Sequence, residues 1–213
     1  LGISERRQRE RKKRRKEIID AAERVVFSEG FEHATMDAVA QEAELSKATI
    51  YLYFKSKEDL YFAIFMRGQE LLFNMVDESL QRLRSTQKKL EAFLKTVVSF
   101  QEKHPDYFNA FYYFLTHRME ISEDSEDWQK NRELDQIYLG KWMDLVKRGK
   151  DEGLIRQGLK AVDSVLLIWM QLIGFLKIYS EIQPDLERQF SVTRDSMLKQ
   201  YFALIFNGIL NKQ

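Results

Sequence analysis

The stretch from Thr35 to Leu60, TMDAVAQEAELSKATIYLYFKSKEDL, leaves a folding chain few choices. Met36, Val39, Ala40 and Ala43 fall at the i, i+3, i+4 and i+7 spacing of one helical face. Thr35 precedes them as an N-cap, its hydroxyl able to accept from a first-turn N–H. After a tight turn, Ser46 caps a second short helix, Lys47 to about Leu52, and Ile50 and Phe54 stand four apart and turn inward. Two brief helices joined in this way make a helix-turn-helix, a shape that fits its second helix into a DNA major groove.

With Ile50 and Phe54 inward, Lys47, Ala48, Thr49, Tyr51 and Tyr53 are left to point outward. That surface has one cation, hydroxyls and a methyl, and no carboxylate. Lysine and hydroxyls are common phosphate partners, and an alanine methyl can touch a thymine methyl. A third helix opens at Ser56-Lys57-Glu58-Asp59, a near capping box with Asp in place of Glu or Gln. Lys57 therefore sits at a helix N-terminus, where free N–H groups and the helix dipole already favour an anion.

Thr35, Val39-Ala40, Ala43, Leu45-Ser46-Lys47, Thr49-Ile50-Tyr51, Tyr53-Phe54, Ser56-Lys57-Glu58 and Leu60 together resemble the N-terminal signature of TetR-family transcriptional regulators. With the preceding helix the resemblance covers about residues 14–74; beyond it, only length and helix layout are similar. One departure is Glu44, which stands where the family's turn usually carries glycine, the residue that reaches positive φ without a Cβ penalty. The resemblance implies a homodimer on a double-stranded DNA operator. Ser46, Lys47 and Ala48 would reach base edges, and Thr35, Thr49, Tyr51, Tyr53 and Lys57 would hold phosphates. It also implies that the last two helices, about 161–179 and 186–210, pair across a two-fold axis.

Only two prolines and nine glycines interrupt 213 residues of mostly 3.6-period patterning, so the fold class is all-α: a three-helix, helix-turn-helix domain followed by a larger helical bundle. The division expected is a basic arm at 1–16, a DNA-binding domain at 17–60 with its motif at about 36–54, and a ligand-binding and dimerisation domain at 61–213. Absence of cysteine excludes a disulfide framework, a thiolate metal site and a cysteine nucleophile. With no apolar signal core at the start of this sequence, a cytoplasmic, nucleoid-associated protein is expected. The net charge of +1 hides an asymmetry. Residues 1–16 hold nine Lys/Arg against Glu5 and Glu10, a surplus of +7, and the remainder sums to −6. With almost no apolar content this segment cannot offset the entropy of folding alone. It reads either as a solvated tail or as an arm on DNA, with Arg6, Arg7, Arg9, Arg11, Arg14 and Arg15 as contacts. Charge alone also admits RNA or an anionic membrane surface.

Downstream, Glu17–Glu29 forms the first helix, stopped by Gly30, and Lys57–Arg84 runs as one long helix into the second domain with no flexible linker. Thr86 caps the next helix, and His104-Pro105-Asp106 breaks it. Residues 107–115, YFNAFYYFL, place aromatics on every side of one short helix, more than a single buried stripe uses. Phe108, Phe111 and Tyr112, with Trp142 and Trp169, are therefore candidates to line a pocket for a small apolar or amphipathic effector. The acidic run ISEDSED at 121–127 lacks the spacing and glycine of a calcium loop and reads as solvated. Residues 161–179 are apolar nearly all round, but their dense part, interrupted by Gln171, is short of a membrane span and fits a buried or interfacial helix. Pro184 is expected to turn the chain before the last helix.

His33, His104 and His117 lie on separate elements, and neither a glycine-rich phosphate loop nor a metal-ligand cluster is present, so no catalytic, cofactor or metal residues are assigned. The expectation is a ligand-responsive dimeric repressor on a palindromic operator. The rival reading is a helical adaptor or scaffold whose basic tail rests on RNA or a membrane surface.

Overall fold

A computed structural model describes residues 2–123 and 125–211. Among them are nine α-helices: α1 (Ile3–Glu29), α2 (Met36–Glu42), α3 (Lys47–Tyr51), α4 (Lys57–Leu80), α5 (Thr86–Lys103), α6 (Pro105–Thr116), α7 (Glu126–Asp151), α8 (Ala161–Phe190) and α9 (Arg194–Ile209). Among the described residues the sole extended pairing is an isolated bridge between Ile155 and Leu210, which ties the end of α9 to the α7–α8 loop. The chain divides into two compact units, one holding residues up to Glu70 with Asp106–Asn131, the other Leu71–Pro105 with Arg132 onward.

In the first unit the α1 face Ile18, Ala22 and Val25 meets Val39 and Ala40 of α2, Ile50 of α3, Phe54, and Leu60 and Ile64 of α4. Gly30 closes α1 at φ 80°, a conformation that side chains rarely adopt, and its N–H donates to the Val26 carbonyl. The aromatics of α6 pack against other aromatics of the first unit. Phe65 stacks on Phe114 at 4.1 Å and meets Phe111 at 5.1 Å, Phe62 meets Trp128 at 5.6 Å, and Phe108 is wholly buried.

Several boundaries differ from those the sequence suggests. Helix α1 starts at Ile3, so the basic segment is helical rather than a loose arm. It continues the turns already fixed by Ile18 and Ala22, which avoids a new nucleation step. Ion pairs Arg6–Glu10, Lys13–Glu17 and Arg14–Glu17 at helical spacing support it. Helix α4 ends at Leu80, and Ser85, not Thr86, caps α5, while the Thr86 side chain is buried. Pro184 lies inside α8, and the last helix begins only at Arg194. A mid-helix proline removes one N–H. The carbonyl left over belongs to Ser180 on the exposed side, where water can serve it, and the pairs Lys177–Glu181 and Arg188–Asp185 flank the site.

In the second unit α5, α7, α8 and α9 enclose an apolar core that includes Leu90, Leu145, Val146 and Ile155. Gly149, near the end of α7, lies against Ile155, where an added Cβ would fall 2.6 Å from its Cδ1. Ile155 is wholly buried and cannot swing aside. Gly149→Ala is therefore expected to destabilise the protein by about 1–3 kcal/mol through overpacking, read as a lower midpoint in urea with an unchanged m-value.

Candidate nucleic-acid interface

The helix-turn-helix is built from its caps outward. The Thr35 hydroxyl accepts from the Ala38 N–H at 3.1 Å and starts α2, and the Ser46 hydroxyl accepts from the Thr49 N–H at 3.1 Å and starts α3. Between them Glu44 takes φ 54°, the left-handed conformation for which glycine is better suited, so the turn keeps the expected path and Glu44 bears the strain. Ile50 is 0% exposed and Phe54 2%, and these two anchors fix the opposite side of α3 outward. Ser56 accepts from the Asp59 N–H at 3.0 Å, opening α4 as the near capping box suggests.

The candidate contact residues lie together on this surface. Thr35, Ser46, Lys47, Ala48 and Tyr51 are exposed, and Thr49, Tyr53 and Lys57 are half-buried. Two of the hydroxyls already serve the fold, since Ser46 Oγ and Thr49 Oγ1 also bond one another at 2.8 Å. Both lysines have partners within the unit. Lys47 Nζ donates to Asp37 Oδ2 at 2.8 Å, and this bond pushes its pKa up. Lys57 Nζ donates to the Glu32 carbonyl at 3.1 Å and sits 4.5 Å above the Phe31 ring. Each ammonium has three N–H donors, so a phosphate that takes either lysine shares it with these partners or displaces them.

Two neighbours escaped the sequence reading. Asp37 stands one position after Met36 in the first turn of α2, and nothing in its spacing from Lys47 announces a pair. Leu52, 76% exposed just past α3, leaves an apolar side chain beside the reading surface; the outward count of residues after Ile50 could have found it.

Behind the interface a polar network holds α1 against the rest of the unit. Arg67 of α4 donates to Asp20 Oδ1 at 2.7 Å and Glu23 Oε2 at 2.6 Å, and the Tyr107 hydroxyl donates to Glu23 Oε1 at 2.7 Å. Burial raises the Glu23 pKa, and the bonds from Tyr107 and Arg67 oppose that rise. Burial, reinforced by Glu23, pushes Tyr107 up to about 12.

The model for bacterial regulatory proteins of the tetR family matches residues 18–64, the span that carries this architecture. The N-terminal region is a TetR-family helix-turn-helix. A fatty acid metabolism regulator protein of Bacillus subtilis (strain 168) is 25% identical over 199 residues, 92% of this chain and 95% of its own length. The HTH-type transcriptional activator FasR of Mycolicibacterium smegmatis is 32% identical over 92 residues, a match spanning less than half of either protein, 43% and 42%. A crystal structure of the transcriptional regulator FadR from Bacillus subtilis in complex with stearoyl-CoA shares the fold at 22% identity and TM-score 0.61, over 79% of this chain and 88% of that one. The chain thus has the TetR-type architecture of an N-terminal helix-turn-helix and a helical C-terminal region, a fold that the FadR structure shares.

The remaining candidates fall in two places. Trp142 and Trp169 line a cavity of about 60 Å³ in the second unit, with Leu94, Val165, Ile205 and Phe206, and Phe93 lies 4.0 Å from Trp142. Phe108, Phe111 and Tyr112 belong to the first unit and are not among its lining residues.

The two lysines are expected to make separable contributions to DNA binding. Lys57→Ala is expected to weaken all duplexes alike and to lower the slope of log affinity against log salt by about 0.9, one phosphate's worth. Lys47→Ala is expected to change the ranking of sequences in a selection from random duplexes more than it changes overall affinity.

Proposed function

We propose that this ligand-responsive TetR-type regulator is a homodimeric repressor of a palindromic operator, released by an effector with a long apolar chain such as a fatty acyl thioester. The observation that carries the effector class is the second-unit cavity, whose named lining residues are all apolar or aromatic, with no ionisable side chain among them. The fatty acid metabolism regulator and the stearoyl-CoA complex among its relatives support the same chemistry. At about 60 Å³ the cavity is well below the roughly 300–1,000 Å³ of a typical ligand site, so binding requires its walls to part. Those walls come from α5, α7, α8 and α9. Helices α4 and α7 each hold residues of both units, and in this proposal they link the effector site to the helix-turn-helix.

Dimerisation is supported by α8. An 18-residue window of this helix has mean hydropathy 1.7, yet only 22% of it is buried within the protomer. By length and composition alone such a helix could cross a bilayer, a longer apolar run than the dozen residues read from the sequence. One side, Leu172, Ile173, Leu176 and Tyr179, is buried in its own unit, while Leu167, Met170, Ile178 and Ile182 lie bare, and Leu204 on α9 is also exposed. A second copy covers such a stripe symmetrically, and two copies would set their α3 helices about 34–36 Å apart, or a multiple, on one duplex. On this reading the protein works in the cytoplasm, at the nucleoid. FasR is by name an activator, so the direction of control is read from transcription with and without the bound protein.

Met170→Arg is expected to yield a monomer in sedimentation experiments, with loss of operator binding but retained helical circular dichroism. A dimer that persists with this substitution overturns the assigned interface. In a Trp128→Phe background, stearoyl-CoA is expected to alter the emission of Trp142 and Trp169 and to weaken operator binding, and operator must weaken thioester binding by the same factor. Operator affinity unchanged at saturating thioester removes this effector class.

A further inference from the structure

We infer that the first four turns of α1 are a second DNA-binding element, an arginine rail that lies along duplex phosphates flanking the segment read by α3. The inference rests on the reading that α3 enters duplex DNA, and extends it to a part of the chain outside the helix-turn-helix.

The rail is defined by register. Ile18, Ala22 and Val25 form the α1 face buried in the first unit. Continued toward the N-terminus at helical spacing, the same face carries Arg15, Arg11 and Arg7. Its acidic neighbours fall elsewhere on the helix: Glu10 pairs with Arg6, and Glu17 with Lys13 and Arg14. Arg15 fixes where the rail begins. Its guanidinium lies 4.9 Å from the centroid of the Phe54 ring and pairs with Asp127, and Phe54 follows the end of α3 by three residues. From there Arg11 lies about 6 Å and Arg7 about 12 Å further along the helix axis. Twelve ångströms is roughly the rise of three to four base pairs.

The charges on this helix oppose the helix itself. Cations at an N-terminal end run against the helix dipole, and Arg7–Arg11, Arg11–Arg15 and Lys12–Lys16 are like-charge pairs at i, i+4. Residues 4–14 are all exposed, and no partner is recorded for Arg7, Arg9, Arg11 or Lys12 among the described residues. A polyanion relieves both conflicts at once. Breaches of local rules without a structural gain mark functional segments. The class of polyanion follows from what the rail lacks. From Ser4 to Glu17 there is no apolar residue, so the helix has no face to sink into a bilayer, as an interfacial helix requires. A helix whose row Arg7, Arg11 and Arg15 is flanked by further cations, and ends beside Phe54 just past α3, fits the backbone of the same duplex.

The test uses the full chain and a duplex selected by the wild-type protein from a random-sequence library, in two lengths: with wide flanks, and trimmed by about four base pairs at each end. The variant is Arg7→Gln/Arg11→Gln, since glutamine keeps helix propensity while removing charge. On the long duplex the variant's salt slope is expected to fall by about 1.8 per protomer, two phosphates' worth. Its affinity then drops about twelve-fold less per protomer between 50 and 200 mM salt, with the same ranking of sequences as wild type. On the trimmed duplex the two proteins are expected to coincide. Equal slopes for both proteins on the long duplex, with the operator still bound, overturn the rail and leave α3 as the reading helix. Failure of the wild type to select any duplex overturns the parent reading instead. Tighter binding of the wild type to single-stranded RNA or to anionic phosphatidylserine vesicles than to the duplex, lost in the variant, overturns the assignment to DNA.

Discussion

The reading surface depends on two side chains that never touch a ligand, Ile50 and Phe54. A helix of five residues has no stability of its own, because its nucleation cost is spread over almost no hydrogen bonds. Helix α3 persists because Ile50 is fully enclosed between α1, α2 and α4, a burial worth about 1.5–3 kcal/mol, with Phe54 holding the turn that follows. With these two fixed, Ser46, Lys47, Ala48 and Tyr51 can only face outward. The strain at Glu44 is carried by the same packing.

Helix α1 serves that core and departs from it. Its C-terminal half is a buried wall, and its Glu23 is held by Arg67 and Tyr107 in a network where each member offsets the burial of another. Its N-terminal half has no packing partner beyond Arg15 and carries most of the chain's uncompensated positive charge. The lysines of the interface behave differently, since Lys47 and Lys57 rest on Asp37 and on Glu32 with Phe31.

The interface was legible in the sequence because its signals are local. Thr35, Ser46 and Ser56 cap within three residues of themselves, and the spacing of Ile50 and Phe54 names their face directly. Composition misled at residues 3–16, which look unable to fold alone but are extended from a helix anchored at Ile18. It misled again at Pro184, because a break depends on whether water can reach the orphaned carbonyl. The aromatic run at 107–115 announced burial correctly, but location is a long-range property. Trp142 and Trp169 reach the cavity, while Phe108 and Phe111 fill the first unit's own core. The Asp37–Lys47 pair, formed across the turn, has no periodicity to betray it.

The small volume between Trp142, Phe206 and their neighbours has a consequence for the proposed acyl effector. Parting those walls would carry a fixed penalty, whatever the chain's length. Each methylene buried between them would return about 0.8 kcal/mol. On that proposal short chains would fall below break-even, whereas each carbon beyond it would gain severalfold in occupancy. Discrimination by length would then need no measuring residue at the far end, because the stiffness of the walls would do the counting.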